Sequence, residues 1–183
     1  MRYFPIFALA MLTACGGTDR FIAAPQVTPD VRVSSRFSSV ELREVSLPEY
    51  AAREEIYVEN ADGMLTESEL FWADDPPRAV TLALSRNLAE ITRVPVAPEP
   101  WPFDAQPDGR VDVLVERFLR APDGSLVLAG QYFVADMAGR GRDRARLFTL
   151  TEPLTSEASA AEAASARARL VAALAVKIAK DGL

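Results

Sequence analysis

Apolar and polar residues alternate most regularly over 110–120, where Val111, Val113 and Val115 point one way and Asp112 and Glu116 the other. A period of two predicts a half-buried strand. Pro122-Asp123-Gly124 reads as a turn, 125–135 as the returning strand, Gly139 and Gly141 as a second turn, and 142–151 as a third antiparallel strand. Earlier in the chain, 55–72 predicts a hairpin. Ile56 and Val58 lie on its first strand, Asn60-Ala61-Asp62-Gly63 makes the turn, and the partner strand runs to Trp72. Within the Val-, Phe- and Ser-rich stretch 31–47, Val40 and Leu42 share one parity and Val45 and Leu47 the other. A bulge or bend near Arg43 and Glu44 would reconcile them, and Pro48 ends the pairing.

Two segments follow the helical period instead. Val80, Leu84, Leu88 and Ile91 make one stripe, with Asp74, Asp75, Pro76 and Pro77 suited to the exposed amides of its first turn. Pro95 stops that helix. Leu170, Leu174 and Ile178 form the second stripe. Ser159 and Glu162 are spaced for a capping box, Lys177 and Lys180 lie at the negative end of the dipole, and Gly182 ends the helix. Between the first helix and the meander, 94–108 holds five prolines with Trp101 and Phe103. It reads as irregular but too apolar for a free linker. The order of strands, helix, meander and helix predicts an α+β two-layer domain: a largely antiparallel sheet with two amphipathic helices packed on one face.

The N-terminus changes the picture from a plain domain to an exported one. Arg2 precedes an apolar run too short to span a bilayer, and Leu12-Thr13-Ala14-Cys15 closes it. This resembles a bacterial lipoprotein signal, which is cut before the Cys as its thiol is acylated. Residues 1–14 are therefore expected to be a signal peptide, and Cys15 the lipid attachment point. Residues 15–30, with Pro25 and Pro29, read as a tether containing a brief strand at Phe21 and Ile22; 31–183 is a single domain. In lipoproteins of this kind an Asp after the Cys favours inner-membrane retention. Gly16 stands there instead, so the expected location is the periplasmic face of the outer membrane.

Composition then removes whole classes of chemistry. The chain has no His and a single Cys. A Ser-His or Cys-His triad, an internal disulfide and a thiol-based zinc site are all excluded. A net charge of −6 argues against general nucleic-acid binding. No catalytic residue, metal ligand or cofactor is assigned beyond the covalent lipid on Cys15. Asp74 and Asp75 could form an acid–base or metal pair, but helix capping explains them better. The spacing around Gly139 and Gly141 is too short for a nucleotide-binding fingerprint. Arg140, Arg142, Arg144 and Arg146 alternate, so an extended strand would project all four on one side, towards lipid phosphates, an acidic partner or simply solvent. Trp101 and Phe103, flanked by prolines, are candidates for a partner surface, whereas Trp72 reads as core.

Four stretches together resemble the PqiC-like lipoproteins, auxiliary components of transport systems built on MCE proteins. They are the lipobox; Val45-Ser46-Leu47-Pro48-Glu49-Tyr50 with Arg53 and Ile56; Trp72-Ala73-Asp74-Asp75-Pro76 at the helix entry; and Asn87-Leu88 with the strand from Arg110 to Phe118. Phe71 departs from the Arg common before the Trp, and two aspartates replace a Glu. The resemblance implies a non-enzymatic lipoprotein that docks the end of a PqiB-like MCE-domain tunnel carrying lipids or other hydrophobic molecules between membranes. A ring-like homo-oligomer would suit a ring-shaped tunnel. The alternatives are a scaffold lipoprotein for outer-membrane assembly without a transport role, and a carboxylate-dependent periplasmic hydrolase.

Overall fold

A computed structural model describes residues 20–139, 141, 143–155 and 158–183. Along them the chain forms β1 (Arg20–Ile22), β2 (Val40–Leu42), β3 (Glu55–Glu59), β4 (Leu65–Trp72), α1 (Pro76–Thr92), β5 (Val96–Pro98), β6 (Gly109–Arg120), β7 (Leu126–Asp136), β8 (Arg144–Glu152) and α2 (Ala160–Asp181). The strands make one sheet of eight, and both helices bury their stripes against one face of it. This is the expected α+β two-layer arrangement.

β6 is the spine. It pairs antiparallel with β7 along its length, and β7 pairs antiparallel with β8. Its other edge is shared, in parallel, by β2 at the start and β3 at the end. The long pairings and the β3–β4 hairpin are antiparallel, while the short ones (β1–β4, β2–β5, β2–β6, β3–β6) are parallel. Val111, Val113 and Val115 of β6 face the helices. A register shift between Val115 and Arg117 then moves the buried parity to Phe118. Gly130 stands opposite that bulge, where a Cβ would lie 2.1 Å from the Leu114 carbonyl oxygen. Only glycine permits the close approach, and the bulge adds local twist to the sheet.

The parity break after β2 resolves as expected. The Arg43 amide donates to the Val111 carbonyl at 2.9 Å and the Ser46 amide to the Val113 carbonyl at 3.0 Å, so three residues advance against two. The extra residue brings Val45 into the core beside Leu42. The 31–47 stretch is otherwise less of a strand than its composition suggests. Val33 donates to the Ile91 carbonyl at 3.1 Å and Arg36 to the Leu183 carbonyl at 2.7 Å, so these amides serve the C-terminal ends of the helices rather than a ladder.

Both helix starts follow the sequence. The Asp75 carboxylate accepts from the Arg78 amide at 3.0 Å, ahead of Pro76 and Pro77. Val80, Leu84, Leu88 and Ile91 are each at most 1% exposed. Arg93 closes α1 in the left-handed region at φ 63°. On α2 the Ser159 hydroxyl accepts from the Glu162 amide, and the Glu162 carboxylate accepts from the Ser159 amide at 2.7 Å. That bond, with a second from the Ser159 hydroxyl at 2.9 Å, holds the Glu162 carboxyl below its usual pKa.

Two segments depart from expectation. Part of the predicted tether is docked: β1 runs parallel to Leu70–Trp72 of β4, and 23–27 lie along the groove between α1 and α2. The irregular 94–108 stretch contains β5, which adds to the edge of β2, where a proline at its end costs no ladder bond.

Candidate functional site

The segment after β5 is an anchored loop with an apolar tip. At its entry the Glu99 amide donates to the Leu42 carbonyl at 3.0 Å, and the Glu99 carboxylate pairs with Arg43 at 2.9 Å. At its exit Asp108 accepts from the amide and hydroxyl of Ser38, and the Asp108 amide donates to the Ser39 hydroxyl at 3.2 Å. Between these ends the Trp101 indole N–H donates to the Ala105 carbonyl at 2.7 Å. Phe103 packs edge-to-face on Trp101 with centroids 5.0 Å apart, yet is 54% exposed. The two rings are thus ordered by the loop itself, not by the core.

Of the arginine row, Arg140 and Arg142 lie outside the described residues, as do Cys15 and the rest of the lipobox. Arg144 and Arg146 open β8, opposite Val134 and Tyr132. They are exposed, but their parity is that of Phe148, so they project on the helix-covered side at the sheet edge, not on the open face. There they influence Tyr132, a fully buried phenol whose hydroxyl has no hydrogen-bond partner among the described residues. Burial pushes its pKa up to about 12, with the Asp181 carboxylate adding to the shift and both arginines opposing it. The β7–β8 turn meets the aromatic loop through the Met137 amide, which donates to the Asp108 carbonyl at 2.8 Å. The structure thus brings the two candidate segments to the same end of the sheet, without contact between Trp101 or Phe103 and Arg144 or Arg146 among the described interactions.

Asp74 and Asp75 serve the helix start: Asp75 caps α1, and Asp74 pairs with Arg78 at 2.6 Å. Trp72, immediately before them, is core, stacked on Phe118 with centroids 6.4 Å apart and planes 5° apart. Its other neighbour escaped the sequence reading. The Arg167 guanidinium lies 4.4 Å from the Trp72 ring centroid and the residue is only 4% exposed. Burial pulls its pKa down to about 10, while the Asp74 charge partly offsets that fall. The available signal was position: Arg167 precedes Leu170 by three residues, on the apolar stripe of α2. No cluster of three or more potential metal-ligating side chains occurs among the described residues. No helix among them is long and apolar enough to cross a membrane.

The domain is thus a mixed sheet under two helices, with an ordered aromatic loop at one end. Residues 22–179 match the family described as the ABC-type transport auxiliary lipoprotein component, and the chain belongs to that family. No curated protein matches it. Among solved structures, it is similar to a crystal structure titled only as an uncharacterized protein, at 19% identity and TM-score 0.71, covering 90% of this chain and 98% of that one. It is also similar to protein XCC0632 from Xanthomonas campestris, at 17% identity and TM-score 0.69, covering 87% of this chain and 91% of that one. At these identities the likeness shows a shared fold.

Proposed function

We propose that this auxiliary lipoprotein is held at the periplasmic face of the outer membrane by acyl chains on Cys15. In this reading its folded domain docks the end of an MCE-domain tunnel protein, completing a route for lipids or other hydrophobic molecules between the membranes. The family match over 22–179 is the observation that carries the reading, since it makes the chain an accessory of a transport system. The Trp101–Phe103 loop supports it as the docking element. An aromatic pair of a half-buried Trp101 and an exposed Phe103, already fixed by its own hydrogen bond and ring contact, loses little conformational freedom on binding. Arg144 and Arg146, exposed at the same end of the sheet, add a basic flank for an acidic partner or lipid phosphates, and the sequence row that includes Arg140 and Arg142 is assigned the same role. A ring-like homo-oligomer would match the symmetry of a ring-shaped tunnel.

Affinity capture of the full-length tagged lipoprotein from solubilised envelope tests this. An MCE-domain protein is expected among the specific partners, with recovery reduced in the Trp101→Ala, Phe103→Ala variant. Capture of a barrel-assembly or peptidoglycan-binding protein, with no MCE-domain protein in several detergents, would replace the adaptor with the scaffold.

A further inference from the structure

The groove between α1 and α2 holds a recess of about 230 Å³, roofed by residues 23–27. Its walls are unequal. Leu82, 37% exposed, and the half-buried Ala79 and Ala83 show it an apolar surface, with the core residues Val80 and Val171 at its base. Two polar side chains line it from positions that are almost wholly buried. Arg167 and Asn87 are each 4% exposed. Neither makes a side-chain hydrogen bond to any described residue, and Arg167 forms no ion pair among them. Arg86 adds a second, exposed cation to the lining.

A buried guanidinium is normally matched by a carboxylate, because desolvating an unpaired charge is costly. Here the one acid in the lining is already engaged: Asp74 pairs with Arg78 at 2.6 Å and reaches Arg167 only as a more distant charge. Stacking on Trp72 covers one face of the guanidinium and leaves its N–H edge without an acceptor among the described residues. Water in the recess would satisfy donors but would not neutralise the charge. An oxyanion does both, and the planar fork of Arg suits two oxygens of one group. The Asn87 amide supplies a further donor.

We infer that this recess is a binding site for an oxyanion headgroup, of the phosphate-monoester or carboxylate type, seated against Arg167 and Asn87. The apolar wall formed by Ala79, Leu82 and Ala83 fits a short hydrocarbon continuing from that headgroup. The source of the oxyanion is therefore an amphiphile rather than free phosphate. The site goes beyond the docking reading and does not depend on it, since it lies in the helix layer rather than on the aromatic loop.

Isothermal calorimetry on the full-length lipoprotein in a non-ionic maltoside detergent tests the site with hexyl phosphate, inorganic phosphate and hexanol. Hexyl phosphate is expected to bind more tightly than inorganic phosphate, and hexanol not to bind. Arg167→Met is expected to weaken hexyl phosphate by about tenfold to a hundredfold, as loss of a charge-assisted contact does. Leu82→Glu, at an exposed position, keeps Arg167 in place, puts a charge like that of the ligand at the margin and is expected to weaken hexyl phosphate severalfold. Equal binding of phosphate and hexyl phosphate would keep the oxyanion site and overturn its amphiphile source. Binding of hexanol as tight as hexyl phosphate, or binding unaffected by both substitutions, would overturn the site. Loss of hexyl phosphate binding with MCE-protein capture intact would separate this site from the docking loop.

Discussion

The chain has two tryptophans, and the fold uses them in opposite ways. Trp72 is 3% exposed, stacked on Phe118 from the sheet and covered by Arg167 from α2, so it joins the two layers. Trp101 is half-buried and touches chiefly its own loop: its N–H is bound to Ala105 and its ring to Phe103. One indole is embedded in the fold that holds it. The other is held by its own loop, beside a Phe103 ring that is open to solvent. Ring type alone does not decide between these roles. What decides is whether neighbouring positions belong to a buried stripe or to a proline-rich connection.

The sharpest contrast comes from removing each indole. Trp72→Ala is expected to cost about 3–5 kcal/mol of stability, the range for deleting a large aromatic from a packed core, read by urea unfolding. The loss includes its stacking on Phe118 and leaves the Arg167 charge facing a void. A cost below about 1 kcal/mol would mean that Trp72 does not join the layers and that the contrast is false.

A smaller effect, of opposite sign, tests what covers Trp72. Burial pulls the Arg167 pKa down to about 10, a fall that corresponds to a stability cost of about 3 kcal/mol for keeping the charge buried. The cation–π contact returns about 0.5–2 kcal/mol. Arg167→Met, close in volume, is therefore expected to stabilise the ligand-free protein by roughly 1–2 kcal/mol. The pH dependence has a definite sign. Above about pH 10, the folded pKa of Arg167, the unfolded chain holds more protons on this group, so it makes stability rise with pH. Tyr132 acts oppositely: its phenol moves from 10.0 up to about 12, so its contribution is present below its unfolded pKa and lost as pH rises towards the folded one. The wild-type alkaline limb is thus a partial cancellation. Arg167→Met should leave a fall in stability with rising pH and Tyr132→Phe a rise, measured by urea unfolding at about pH 9 to 11. Unchanged alkaline slopes in both variants would show that neither group is buried as described.

These sites differ in how far the sequence could reveal them. The stripes of α1 and α2, the capping residues Asp75 and Ser159, and the bulge between Leu42 and Val45 were legible, because each is a local pattern with a periodic or pairwise cause. β5 and the run 31–39 were not. They are held by backbone hydrogen bonds to β2 and to the helix ends, which leave no side-chain period. The aromatic loop was legible as apolar and irregular, but its order was not, since the acceptor for Trp101 is a backbone carbonyl. Arg167 was hidden for another reason. A charge in an Ala-rich helix ordinarily marks the solvent face, and only its place on the stripe betrays its burial.

The smallest expected change in stability is the most telling about function. Trp101→Ala with Phe103→Ala removes rings that pack mainly on each other, with Phe103 already 54% exposed. The double substitution should shift stability by no more than about 1 kcal/mol, because the hydrogen bonds of Glu99 and Asp108 still anchor both ends of the loop. Urea unfolding measures that shift, and capture from solubilised envelope measures the partner. Lost capture in a protein of unchanged stability assigns the pair to docking. A loss of several kcal/mol would instead make Trp101 a second core residue and erase its difference from Trp72. The value of the comparison lies in this separation: for Trp72 stability and any loss of function must move together, whereas for Trp101 they must come apart.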